Sequence, residues 1–178
     1  SWADASLALV DLAIVRGDDD IARALLTQLI EKRISPSMDR TARVRLRSLD
    51  SEGPVRVALT RYFSTDADVA QVHFLEVALA AQPSEPFVAY LLGRKLHQKE
   101  AFAPALEVLE VTRADSGVPA SIRRETLRLM LEAAYGAGDC ARVTQLADDA
   151  KAISGPFGAK ARDWVERCSQ SPPPGPRQ

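Results

Sequence analysis

A stretch of 34 residues that recurs along the chain constrains its fold more than any other feature. Pro86 to Pro119 reads PFVAYLLGRKLHQKEAFAPALEVLEVTRADSGVP and is the clearest copy. With Pro86 as position 1, Leu92 and Gly93 fall at 7 and 8, Leu96 at 11, Phe102 at 17, Ala105 at 20 and Leu109 at 24. Self-similarity at such a period marks units of two helices that cannot bury their apolar faces alone and stack to do so. Small residues at 8 and 20 let the two helices of a unit approach closely. Large apolar residues at 7, 11, 17 and 24 then fill the seam between them and the next unit.

The preceding copy starts at Glu52 and abuts this one without a gap. It places Ala58 at 7, Leu59 at 8, Tyr62 at 11, Leu75 at 24, Ala78 at 27 and Pro83 at 32; Gln71 at 20 departs from the pattern. A further copy starts at Arg124, after a four-residue insertion, with Leu127, Met130, Gly138, Asp139, Cys140 and Ala150 in frame. The first copy is framed by Gly17 at 15, Asp18 at 16, Ala22 at 20 and Leu26 at 24. The copies therefore cover about 3–36, 52–85, 86–119 and 124–156.

This pattern resembles the tetratricopeptide repeat, whose period is about 34 residues. A generic array of helical hairpins shares the geometry and is the alternative. The resemblance implies an all-α fold, a superhelical array of antiparallel hairpins (a solenoid) with a C-terminal capping helix. It also implies a concave groove lined by the first helix of each hairpin at positions 2, 5, 9 and 12. Carried onto this chain, those positions are Arg56, Thr60 and Phe63; Phe87, Tyr90, Arg94 and His97; and Glu125, Arg128, Glu132 and Tyr135. The first hairpin adds Asp4, Leu7 and Asp11. Aromatics and arginines are the residue types that dominate binding energetics in such surfaces. Some members of the family hold a peptide carboxylate with paired lysine and asparagine. This chain contains no asparagine, so a carboxylate partner would have to meet Arg56, Arg94 or Arg128.

In order, the apolar spacing predicts helices over about 2–15 (stripe Leu9, Ala13 and Val10, Ile14) and 19–32 (stripe Ala22, Leu25, Leu26, Leu29, Ile30). Gly17 and Asp18 to Asp20 suit a helix end and an N-cap; the aspartates lack the ligand spacing of a calcium loop. Met38 to Leu49 lies outside the frame and is expected as an extra helix, basic through Arg40, Arg43, Arg45 and Arg47, with a strand over Val44 to Arg47 as the alternative. Helices follow over about 53–63, one capped by Asp66 or Asp68 and ending before Pro83, then 86–98, one with Pro104 in its first turn running to Ala114, 120–135, and one opened by Cys140 and ended by Ser154-Gly155-Pro156. Residues 157–169 are expected to cap the array, with Ala161, Trp164, Val165 and Cys168 inward. The repeat domain thus spans 1–170, and the proline-rich 171–178 reads as a disordered or polyproline tail.

The two cysteines, Cys140 and Cys168, each lie 14 residues from Ser154 at the turn between the last two helices. Residues equidistant from the turn of a hairpin sit side by side, within the reach of a disulfide. A Cys140–Cys168 bridge is therefore expected; two buried free cysteines are the alternative. A structural bridge implies an oxidising compartment, most simply a bacterial periplasm.

Nothing in the sequence announces chemistry. His73 and His97 belong to no ligand motif, and His73 is expected to be a packed structural histidine. No P-loop, G-x-S-x-G or G-x-G-x-x-G is present. No catalytic residue, cofactor or metal is expected. A net charge of −1 gives no global field for nucleic acid. No run of 18 apolar residues suggests a membrane span, and no signal peptide is visible. The start at Ser1-Trp2, already inside a helix, favours a domain excised from a larger protein. The expected role is non-catalytic protein–protein interaction, as a scaffold or adaptor in the cell envelope or as the soluble domain of a larger membrane protein. Its alternatives are a self-associating structural domain and a polyanion-binding module using Arg40 to Arg47.

Overall fold

A computed structural model describes residues 2–151 and 156–170. The expected turn at Ser154-Gly155 and the proline-rich tail lie outside the described residues. The described chain is all-helical: α1 (Trp2–Arg16), α2 (Asp19–Glu31), α3 (Pro36–Leu49), α4 (Gly53–Phe63), α5 (Asp68–Ala81), α6 (Pro86–Gln98), α7 (Phe102–Ala114), α8 (Ala120–Gly136), α9 (Cys140–Lys151) and α10 (Pro156–Gln170). The extra segment is a helix, not a strand, and starts two residues before Met38 because Ser35 accepts a hydrogen bond from the Met38 amide and Pro36 fits the first turn. No helix is long and apolar enough to cross a membrane among the described residues.

The helix starts keep the period of the sequence. Asp19, Asp68, Phe102 and Cys140, which open α2, α5, α7 and α9, are each the seventeenth residue of their copy. Three of the four preceding helices also stop in the same way. Gly17 (φ 82°), Glu100 (φ 57°) and Gly138 (φ 74°), at position 15, adopt left-handed backbone. The next amide then donates back five residues, Asp18 to Ala13, Ala101 to Leu96 and Asp139 to Ala134, at 2.9, 3.0 and 2.9 Å. This arrangement satisfies helix-end carbonyls while reversing the chain at once. Glycine takes that conformation without steric cost, and Glu100 takes it with one.

The caps differ from expectation. Asp139 does cap α9, accepting from the Arg142 amide at 2.9 Å. Asp18 sits at the N-cap of α2 but its side chain makes no capping bond. Ala67, not an aspartate, precedes α5, with Asp68 in its first turn. There the carboxylates act on the helix dipole instead of on an amide.

The helices group into two compact units, Ser1–Val88 and Ala89–Gln178. In the first unit α1 packs on α2, α2 on α3 and α4 on α5. Val10, Ala13, Ile14, Ala22, Leu26, Leu29, Ala42 and Leu49 form the core of its first three helices, with Leu7, Leu25 and Ile30 at the edge. Leu9, expected in the buried stripe, is 54% exposed, as are Leu12 and Val15 at similar levels; the inward face of α1 is rotated toward Val10 and Ile14.

In the second unit α7 packs on α8, α8 on α9, and α9 on α10. Gly93 allows α6 to lie against α7: a Cβ there would run into the Leu109 side chain. Gly136 does the same for α8 and Phe102, where a Cβ would sit 2.5 Å from the ring. Ala105 and Leu109, at positions 20 and 24, are fully buried. Ala161 and Trp164 of α10 are buried as expected, and Lys160, Arg162, Asp163, Glu166 and Arg167 are exposed. The Sγ atoms of Cys140 and Cys168 lie 2.16 Å apart with Cα atoms 5.5 Å apart, at disulfide distance. A bridge across that separation of 28 residues contributes about 3–4 kcal/mol in the loop-entropy account.

Replacing Gly93 by valine should therefore destabilise the chain by about 2–3 kcal/mol, because overpacking against Leu109 outweighs any gain in helix propensity. Denaturant unfolding of Gly93→Val checks this. An unchanged midpoint would mean that α6 and α7 do not need their close approach.

Candidate functional site

The groove positions derived from the repeat fall into different environments. In the first unit they are tied into the fold. Arg56 donates to Asp19 at 2.5 Å and to the Ser48 carbonyl at 2.8 Å, which joins α4 to α2 and α3. Thr60 donates back to the Arg56 carbonyl within α4. Phe63 lies under the Arg45 guanidinium at 4.6 Å, and Phe87 near that of Arg47 at 6.0 Å. Leu7 packs on the core, and Asp11 is held by Arg45 through two bonds of 2.6 and 2.9 Å.

The basic helix α3 is consumed by such pairs. Besides Arg45–Asp11, Arg43 bonds Asp39 one turn away, and Arg47 donates to Glu85 at 3.1 Å. Glu85 is 2% exposed and also accepts from Gln82, with the Phe87 amide 3.5 Å away, so it joins the start of α6 to α3. A buried carboxylate is tolerated only with this degree of hydrogen bonding. Arg43, Arg45 and Arg47 thus each have a carboxylate partner within the chain.

Tyr90 is corrected from groove to core. It is 1% exposed, as Val88, Ala89, Leu91 and Leu92 are all buried around the same turns of α6. Residues 88–93 of α6 are all buried, so Tyr90 does not face solvent. His73, expected to be packed, is instead exposed on α5.

The remaining positions come together in the second unit on one face of α6 and α8, extended by α10. Glu132 is its centre. It accepts from Arg128 at 2.6 Å, and His97 Nε2 and Lys160 Nζ stand 3.4 and 3.5 Å from it. Arg128 also forms a two-bond fork with Glu125 at 2.7 and 3.0 Å. These carboxylates raise the Arg128 pKa, hydrogen bonding to Glu125 first. Arg94 lies 5.6 Å from the Tyr90 ring centre and has no carboxylate partner among the described residues. Tyr135 stacks on Trp164, with ring centroids 6.1 Å apart. The frame had named His97, Arg128, Glu132 and Tyr135, which lie together here; it did not name Lys160 and Trp164, whose helix lies beyond the last copy. No group of three or more potential metal ligands occurs among the described residues.

Compared with protein families, curated proteins and solved structures, the chain matches none.

Burial holds His97 below its ordinary value of 6.5, with Arg128 adding to the shift and Glu132 opposing it more strongly than Glu125. The unfolded chain thus binds a proton that the folded chain resists. The associated stability is complete above about pH 6.5 and is lost as pH falls through the folded-state value. The melting temperature should fall between pH 7 and 5, and less so in His97→Gln. Parallel pH profiles for the two proteins would show that His97 does not carry this dependence.

Proposed function

We propose that this chain is a tetratricopeptide-like solenoid whose function is to bind a peptide or helix of a protein partner, without catalysis, in an oxidising compartment outside the cytoplasm. The common seventeenth-residue start of α2, α5, α7 and α9 supports the repeat. The observation that carries the function is the face on α6, α8 and α10. There Arg94 lacks a carboxylate partner beside a network of fixed charges and the Tyr135–Trp164 ring pair. Such a face offers a charge-assisted bond to an acidic side chain and an aromatic surface for an apolar one. Arg128, which the frame also placed there, already serves Glu125 and Glu132 and acts as a positioning residue. A bacterial periplasm suits the cysteine pair, with the chain as an envelope adaptor or as the soluble domain of a larger membrane protein.

Self-association is the second reading. It is favoured by Leu9, Leu12 and Val15, which follow one another at three-residue spacing along α1 and are 44–54% exposed.

A photo-crosslinking side chain in place of Arg94, introduced in the native host, should yield a defined heteromeric adduct. The same group at exposed Glu107 on α7 should not. Equal labelling at both sites would reject the face, and an adduct of twice the chain mass would select self-association. The compartment has its own test: protein denatured and alkylated with and without reduction should differ by two thiols. Two free thiols without reduction would remove the extracytoplasmic assignment.

A further inference from the structure

A recess of about 380 Å³ opens at the start of α8, lined by Arg113 of α7, Ala120, Arg123, Arg124 and Leu127 of α8, and Asp149 of α9. Its size lies within the ~300–1,000 Å³ range of small-molecule sites. It shares no residue with the proposed partner face. Two of its six lining residues, Ala120 and Arg123, belong to the four-residue insertion before the last copy of the repeat. Ala120 and Arg123 bound the four inserted residues, and they lengthen α8 to 17 residues against 15, 11 and 13 for α1, α4 and α6. The period alone would have started the helix at Arg124 and left this side open.

The charges around the recess are unbalanced. Arg113 is fixed: it donates to Asp149 at 3.1 Å and to Glu110 at 2.7 Å, and Glu110 is itself held by Arg142. The side chains of Arg123 and Arg124 make no hydrogen bond or ion pair among the described residues. This contrasts with α3, whose arginines have intrachain partners. Three guanidiniums thus face one carboxylate, with the 7%-exposed Leu127 as an apolar wall. Guanidinium forks match the planar oxygen pairs of carboxylates and phosphates.

We propose that this recess binds a small organic dianion, a phosphate monoester or a dicarboxylate. Arg123 and Arg124 supply the charge, and Arg113 is a donor oriented by Asp149. The organic part of the ligand lies against Leu127 and Ala120.

Calorimetric titration of the whole chain at low ionic strength tests this, with phenyl phosphate and succinate as separate probes. One saturable site is expected for at least one probe, and the preferred probe tells phosphate from dicarboxylate. Arg123→Gln/Arg124→Gln should weaken it at least about tenfold. The melting temperature should hold, because the two side chains support nothing else. Asp149→Asn should tighten binding about tenfold, the worth of one carboxylate charge roughly 6 Å from a dianion in water. A merely structural effect would not tighten it. No saturable binding of either probe, or an affinity unchanged in the double variant, overturns the proposal.

Discussion

The close approach of paired helices is the constraint on which the other features depend. With 6% aromatic residues, the core is built mainly from alanine and leucine. Such side chains fill space to native density only when the backbones lie near one another. Gly93 and Gly136 meet that condition directly, since each receives the side chain of a facing helix where its own Cβ would stand. Ala22, Ala105 and Val143 at position 20, and Leu26, Leu75, Leu109 and Ala147 at position 24, are buried for the same reason. Close pairs also need short connections. The left-handed residue at position 15 reverses the chain within two or three residues in three of the four hairpins.

Electrostatics does the work that apolar side chains leave undone. Helix α3 buries only Ala42, Val44, Ser48 and Leu49, so it has a modest apolar hold on its neighbours. Arg45 and Arg47 add bonds from it to Asp11 and Glu85, 34 and 38 residues away in sequence. Arg56 ties α4 to Asp19 in the same manner, and Arg128 joins two turns of α8. A planar fork that makes two parallel bonds to one carboxylate suits this task better than a lysine ammonium. That use gives the basic run of α3 a structural meaning that the sequence did not show.

The cluster around Glu132 shows how the same principle yields a surface with potential for recognition. Arg128 is fixed by two carboxylates, and His97 and Lys160 stand near one of them. In the proposed role these fixed positions would cost a partner little further ordering, while Arg94 has no carboxylate partner among the described residues. The recess at the start of α8 follows the reverse logic. There an inserted turn brings arginines together without the carboxylates that quench them elsewhere.

The sequence by itself determined the helices, their register and the cysteine pair. Period and breaker residues are local properties, and equal distance from a turn places Cys140 beside Cys168 in any tight hairpin. What it could not determine was which side of a helix is covered. The frame put Tyr90 on an open face and helical spacing put Leu9 in an apolar stripe, yet Tyr90 is enclosed and Leu9 is exposed. It likewise could not pair Arg45 with Asp11 or find Lys160 beside Glu132. Periodicity states which residues share a helix face. Whether that face meets a neighbouring helix, a carboxylate or water depends on how helices distant in sequence pack, and only the tertiary structure decided that.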